Sequence, residues 1–153
     1  MNRRLAILAL TAPSCLLTAC GGSGTPDPID LPFVRLQAFW PAKELQQTYT
    51  LRSDAEWQEA WRVHEPQIAP PAERPSVDFG RQMILGVTRG TGPNGCHGLT
   101  IVRVVEEFAV IRVEYRRAVP PPATLCTQAL VALTDFVVVA RSGKPVSFQQ
   151  LGA

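Results

Sequence analysis

The sequence predicts a mainly β (α+β) domain: a small antiparallel sheet or sandwich with one packed helix near residues 54–65. Three observations carry this. Valine-rich runs alternate apolar and polar residues at the period of a half-buried strand, most plainly where Ile111, Val113 and Tyr115 interleave with Arg112, Glu114 and Arg116. Prolines number 14 and glycines 11, enough to cut the chain into short segments. A single stretch repeats apolar residues at helical spacing, and no internal repeat is visible.

Residues 33–38 and 47–51 form two short strands around Trp40, Pro41 and a polar turn, either as a hairpin or as two neighbouring edges. Ser53-Asp54-Ala55-Glu56 is a capping box, in which the Ser53 hydroxyl accepts from the Glu56 amide and the Glu56 carboxylate reaches back. Trp57, Ala60, Trp61 and His64 then fall on one helical face, which the tryptophans pack onto the sheet, with His64 at the rim of the core. Pro66 ends the helix. Residues 67–76, with Pro70, Pro71 and Pro75, cross in extended form, and Asp78 caps a turn before Gly80. Strands follow at 83–88, 99–105 and 109–119, the last two around a turn at Glu106 and Glu107. Between the first two lies a loop containing Gly90, Gly92, Gly95 and Gly98. Pro120, Pro121 and Pro122 break the chain, and 135–140 is a final strand before the tail.

Ahead of this domain, Arg3 and Arg4 precede an apolar run from Leu5 to Leu17, the charged and apolar regions of an export signal. The run is shorter than the roughly 18 to 20 apolar residues of a spanning helix, and Pro13 interrupts it. It closes on Leu17-Thr18-Ala19-Cys20, which resembles the bacterial lipobox. That resemblance implies cleavage before Cys20, a diacylglycerol on its sulfur and acylation of its amine, and two or more acyl chains hold a protein stably at a bilayer. Residues 1–19 are thus expected to be a lipoprotein signal peptide. Gly21 at the next position, by resemblance to lipoproteins of two-membrane bacteria, favours the outer membrane over the inner. Residues 20–30 are too poor in apolar side chains to order themselves and read as a lipidated flexible tether of about 20 Å, leaving 31–153 as one β-rich domain. Loss of Arg3 and Arg4 with the leader lowers the formal charge from +2 to zero. No cluster of basic residues with interleaved aromatics supports a nucleic-acid partner.

Cys15 leaves with the signal and Cys20 takes the lipid, so Cys96 and Cys126 remain as thiols. In an oxidising compartment such a pair reads first as a disulfide, closing a loop of about 30 residues at roughly 3.5 kcal/mol of stabilisation. A Cys96 nucleophile with a histidine base, or zinc held by Cys96, His97, Cys126 and His64, are the alternatives. Against them, neighbouring residues of a strand point to opposite faces and no Cys-x-x-Cys spacing occurs. Gly90-Thr91-Gly92-Pro93-Asn94-Gly95 matches the G-x-G-x-x-G dinucleotide fingerprint in letters only, because a β-patterned segment follows where a helix N-terminus should receive the phosphates. No G-x-S-x-G elbow or triad pattern is present. No catalytic residue, metal ligand or cofactor is expected.

Val77-Asp78-Phe79, the apolar strand ending near Gly90, the loop through Pro93 and Gly95, the alternating strand pair and Thr127-Gln128-Ala129 together form a pattern. With the Trp57 and Trp61 helix ahead, it resembles the C-terminal domain of the protease complex subunit PrcB. The resemblance implies a small β-rich domain on an exported lipoprotein, accessory to an extracellular protease, with no established catalytic residues to carry over. The expectation is a non-enzymatic, lipid-anchored protein of the cell envelope that recognises a protein or peptide partner, a protease among the candidates. Its contact surface would be Gly90, Gly92, Pro93, Asn94, Gly95 and an exposed His97, tied to the Cys126 segment. A small-molecule binder using Trp40, Trp57 or Trp61, and a Cys96 hydrolase, are the competing functions.

Overall fold

The computed structural model describes residues 26–37, 40–41, 43–65 and 70–152. The export signal, Cys20, most of the tether and Pro66 lie outside the described residues. In chain order the elements are β1 (Ile29–Asp30), β2 (Phe33–Arg35), β3 (Gln46–Leu51), α1 (Asp54–His64), β4 (Gln82–Gly92), β5 (Gly98–Glu106), β6 (Ile111–Ala118), β7 (Val131–Ala140) and β8 (Val146–Gln150). One four-stranded sheet has the order β1-β5-β6-β8 and the other β2-β7-β4-β3. Every pairing is antiparallel except β6 with β8. The predicted mainly β architecture with one helix is the one observed.

Alternation decides the layers. In β4 and β7 the odd-numbered Met83, Leu85, Val87, Leu133, Val137 and Val139 meet Leu99, Ile101, Val104, Ile111, Val113 and Tyr115 of the facing sheet in one buried core. The even-numbered Ile84, Phe136 and Val138 form a second core with Leu51, Trp57, Ala60 and Trp61 beneath α1. The β2-β7-β4-β3 sheet is therefore covered on both faces, by a sheet and by a helix, which explains why its central strands read as nearly continuous apolar runs.

Three local devices hold this arrangement. The capping box forms as expected: Ser53 Oγ accepts from the Glu56 amide at 3.3 Å and Glu56 Oε2 accepts from the Ser53 amide at 3.0 Å. Beside a shift in the β5–β6 register between Ile101 and Arg103, the buried Asp135 carboxylate of β7 accepts from the Ile101 amide at 2.8 Å. Arg35 completes the bridge, donating Nε to Asp135 at 3.0 Å and a terminal amine to the Ile101 carbonyl at 2.7 Å. Burial still pushes the Asp135 pKa up, although Arg35 and the Ile101 amide oppose this. Third, Asp78 Oδ1 accepts from the Gly80 amide at 2.9 Å, the turn cap read from the sequence.

The structure corrects several boundaries. Strands β2 and β3 are neither a hairpin nor neighbours: they are the opposite edges of one sheet. Ile29 and Asp30, assigned to the tether, pair with Glu106 and Val105, and Asp30 accepts from Arg103 Nε at 2.6 Å. Gly90 and Gly92 are strand residues, because β4 runs on to Gly92 through a register shift between Thr88 and Thr91, and Gly98 opens β5. Gly90 takes the left-handed conformation this irregularity requires, at φ 80°. Strand β7 begins at Val131, four residues early, and the supposed tail contains β8, which pairs with β6 from Ile111 to Tyr115. His64 is fully buried rather than at the rim.

Candidate functional site

At one end of the sandwich the β4–β5 connection, 93–97, meets the long β6–β7 connection, 119–130. The Cys96–Cys126 disulfide joins them with Cα atoms 5.5 Å apart. Both sulfurs are in the bond, so neither is a thiolate that could attack a substrate or bind zinc. His64, the proposed zinc partner, lies under α1 with Nε2 2.9 Å from the Tyr49 hydroxyl. Among the described residues no group of three or more His, Cys, Asp or Glu side chains is placed to hold a metal.

The short connection is organised by Asn94. Its Oδ1 accepts from the Cys96 amide at 3.1 Å and sits 2.9 Å from His97 Nδ1, while its carbonyl accepts from the His97 amide at 3.2 Å. His97 is thus half-buried and committed to its own turn, not the exposed residue expected. The Gly95 amide donates to the Thr127 carbonyl at 2.9 Å, a main-chain tie beside the disulfide. A Cβ at Gly95 would stand 2.0 Å from Thr127 Oγ1, so any larger residue there would have to turn the Thr127 side chain aside. Gly92 is needed for packing too, since a Cβ would stand 2.5 Å from that of His97.

The six residues expected as a contact surface therefore divide. Gly90 and Gly92 shape the strand that carries the loop, and Asn94 and His97 hold its turn. Pro93 and Gly95 are exposed. At this end of the sandwich the large exposed apolar side chains are on the facing connection, where Leu125 is 99% exposed, Leu130 68% and Val119 58%. Three prolines and a left-handed Ala123 (φ 65°) stiffen the approach to Leu125, and Thr124 Oγ1 donates to the Pro121 carbonyl at 2.7 Å. Leu125 adjoins a covalently fixed residue, so it is presented to solvent with little freedom to fold back. No periodicity marks it in the sequence; the available signal is an apolar residue between a proline run and a cysteine, in a segment with no apolar stripe to join.

Among the described residues, the tryptophans pack into the core beneath α1. Trp57 and Trp61 are buried against Phe136 and each other, with Trp57 and Phe136 centroids 5.8 Å apart and Trp57 Nε1 donating to the Pro75 carbonyl at 2.9 Å. Half-buried Trp40 packs 4.9 Å from the Phe136 ring. This is the helix-to-sheet core that the spacing of Trp57 and Trp61 predicts. No protein-family model, curated protein or solved structure matches the chain.

Proposed function

We propose that this protein is a non-enzymatic lipoprotein of the cell envelope, anchored through Cys20, which recognises a protein or peptide partner with its disulfide-tied loop end. The observation that carries the reading is Leu125, a large apolar side chain left fully in solvent beside the bond between Cys96 and Cys126. With its main chain tied by the adjacent disulfide, Leu125 costs little backbone ordering entropy when it enters a partner's pocket, and Leu130 and Val119 are further exposed apolar residues of the same connection. The lipobox at Leu17-Thr18-Ala19-Cys20 supports the anchor, and an oxidising compartment suits the disulfide. A protease is one candidate partner, by the resemblance to PrcB.

Site-specific photo-crosslinking in the native envelope tests this. A crosslinker at Leu125 or Leu130 should capture one partner that a crosslinker at exposed Glu73 does not. Leu125→Asp should weaken that partner's binding about 30-fold, the equivalent of the roughly 2 kcal/mol of a buried leucine. Cys20→Ser should move the protein from the membrane to the soluble fraction. Identical crosslinking from all three positions refutes the loop surface, and a Cys20→Ser protein that stays with the membrane refutes the anchor.

A further inference from the structure

An open strand edge lies next to an apolar groove, away from the loop end. Strand β3 pairs with β4 on one side only. The Gly90 amide donates to the Leu45 carbonyl at 2.8 Å, and the register then runs unbroken from Gln46↔Arg89 to Leu51↔Ile84. In an antiparallel ladder this phase turns the main chain of 45, 47, 49 and 51 towards β4, and the amides and carbonyls of Gln46, Thr48 and Thr50 outwards. Among the described residues, no group hydrogen-bonds to those outward amides and carbonyls.

Natural edges are blunted by brevity, charge or proline. Strand β1 has two residues and an ion pair at Asp30, and β2 has three and an ion pair at Arg35. Strand β3 has six residues, Gln-Gln-Thr-Tyr-Thr-Leu, with no charge and no proline. Beside it, between β3 and α1, lies a groove of about 440 Å³ whose apolar lining is Leu45, Tyr49, Leu51, Ala60 and Val63. Glu56 and Glu59 of α1 stand at its rim. The main-chain amide of Arg52 holds the Glu56 carboxyl below its usual range, and Arg62 does the same for Glu59, which it also pairs at 2.6 Å.

We infer that β3 is a strand-addition site for an extended segment of another protein, with apolar side chains at alternate positions and a basic residue beside them. The outward amides and carbonyls select an extended main chain, since only a strand presents partners at their spacing. Segment residues opposite Gln47 and Tyr49 place their side chains on the α1 side, in the groove. Glu59 is already paired with Arg62, so it is the exposed carboxylate of Glu56 that favours a Lys or Arg of the segment beside it. The site is separate from Leu125 and stands whether or not the loop end binds.

The test uses the full chain and a capped synthetic heptapeptide that alternates Leu and Thr, with Lys at both ends. Amide chemical shifts should move saturably at Gln46, Thr48 and Thr50, with slowed hydrogen exchange at the same residues. Methylating two of the peptide nitrogens that face β3 should weaken binding about tenfold, because two main-chain hydrogen bonds are lost. Replacing the terminal Lys residues with Asp should weaken it as well. Equal binding of the N-methylated peptide, shifts confined to other surfaces, or no saturable binding overturns the assignment. So does a chain that already dimerises through this edge, seen as a sedimentation dimer that Thr48→Pro abolishes. Leu125→Asp should leave peptide binding unchanged.

Discussion

His64 sets an acid limit on the fold. Its ring is fully buried among Trp40, Tyr49 and Phe136, with centroids 6.3, 5.5 and 5.4 Å away. Nε2 has the Tyr49 hydroxyl as partner, but Nδ1 is buried with no hydrogen-bond partner. A second ring proton would thus be a charged donor in an apolar site. Burial first, and the charge of Lys43 second, lower the pKa from 6.5 to about 4. Between those values the unfolded chain binds a proton that the folded chain refuses, so stability falls as pH drops through the window, by up to about 1.4 kcal/mol per pH unit. Above the window neither state is protonated, below it both are, and the slope vanishes. From about pH 7.5 to about pH 4.5 the loss from this residue comes to about 2.5 kcal/mol. Urea unfolding of the wild type and of His64→Gln across that range measures it, because the carboxylates contribute equally to both. The wild type should lose about 2.5 kcal/mol more than the variant. Parallel profiles would show that the ring takes its proton inside the fold, and the burial reasoning would fail.

Removing both cysteines, Cys96→Ala with Cys126→Ala, should cost about 3.5 kcal/mol and lower Tm by roughly 10–15 °C in calorimetry. The same double variant should release the main-chain tie between Gly95 and Thr127, seen as faster hydrogen exchange at the Gly95 amide. Gly86→Ala should destabilise by about 1–3 kcal/mol, because its Cβ would lie 2.3 Å from two ring carbons of Phe136. Adding Phe136→Leu should cost much less in the Gly86→Ala background than in the wild type, and additive losses in denaturant titration would refute the contact.

Elements whose cause is local could be read from the chain, and those whose cause is another segment could not. The capping box and the Trp57–Trp61 face are set within twelve residues, so helix and packing face follow from spacing. The disulfide was legible from the cysteine count together with the expectation of an export signal and an oxidising compartment. Strand β1 has no local signal in Pro28-Ile29-Asp30; it exists because β5 offers an edge and Arg103 a charge. Clustered glycines at 90, 92, 95 and 98 suggest one loop. Pairing with β7 instead draws Gly90 and Gly92 into β4, with Gly90 supplying a positive φ inside a strand. His64 looked like a rim residue because a polar side chain ends the apolar face, and its partner Tyr49 is fifteen positions away on β3. The glycine-rich connection reads as a surface, and its exposed residues are Pro93 and Gly95, while the large exposed apolar side chains at this end belong to the facing connection. Glycine richness marks where the backbone needs freedom, whereas Leu125 is conspicuous only once its solvent exposure is known.

Two surfaces lie outside the packing that holds the fold. Strands β4 and β7 sit at the centre of a sheet packed on both faces, and the buried bridge of Arg35, Asp135 and the Ile101 amide joins that sheet to its partner. Neither the outer edge of β3 nor the 119–130 connection is needed for this packing. Leu125 contributes nothing to either core, and the outward amides of β3 contribute nothing to the ladder. Substitutions at such places change little in the fold, so their chemistry follows from what they meet outside it. Strand β4 connects the two: one edge pairs with β3, and its far end, past the Gly90 irregularity, delivers Pro93 to His97 to the disulfide. An occupant added to β3 would brace β4 along the same residues, from Ile84 to Arg89, that lead to the loop. Strand β4 thus links the two surfaces both along its own chain and through its pairing with β7, which begins at Val131 just after the 119–130 connection, and the left-handed Gly90 is where β4 departs from regular strand geometry.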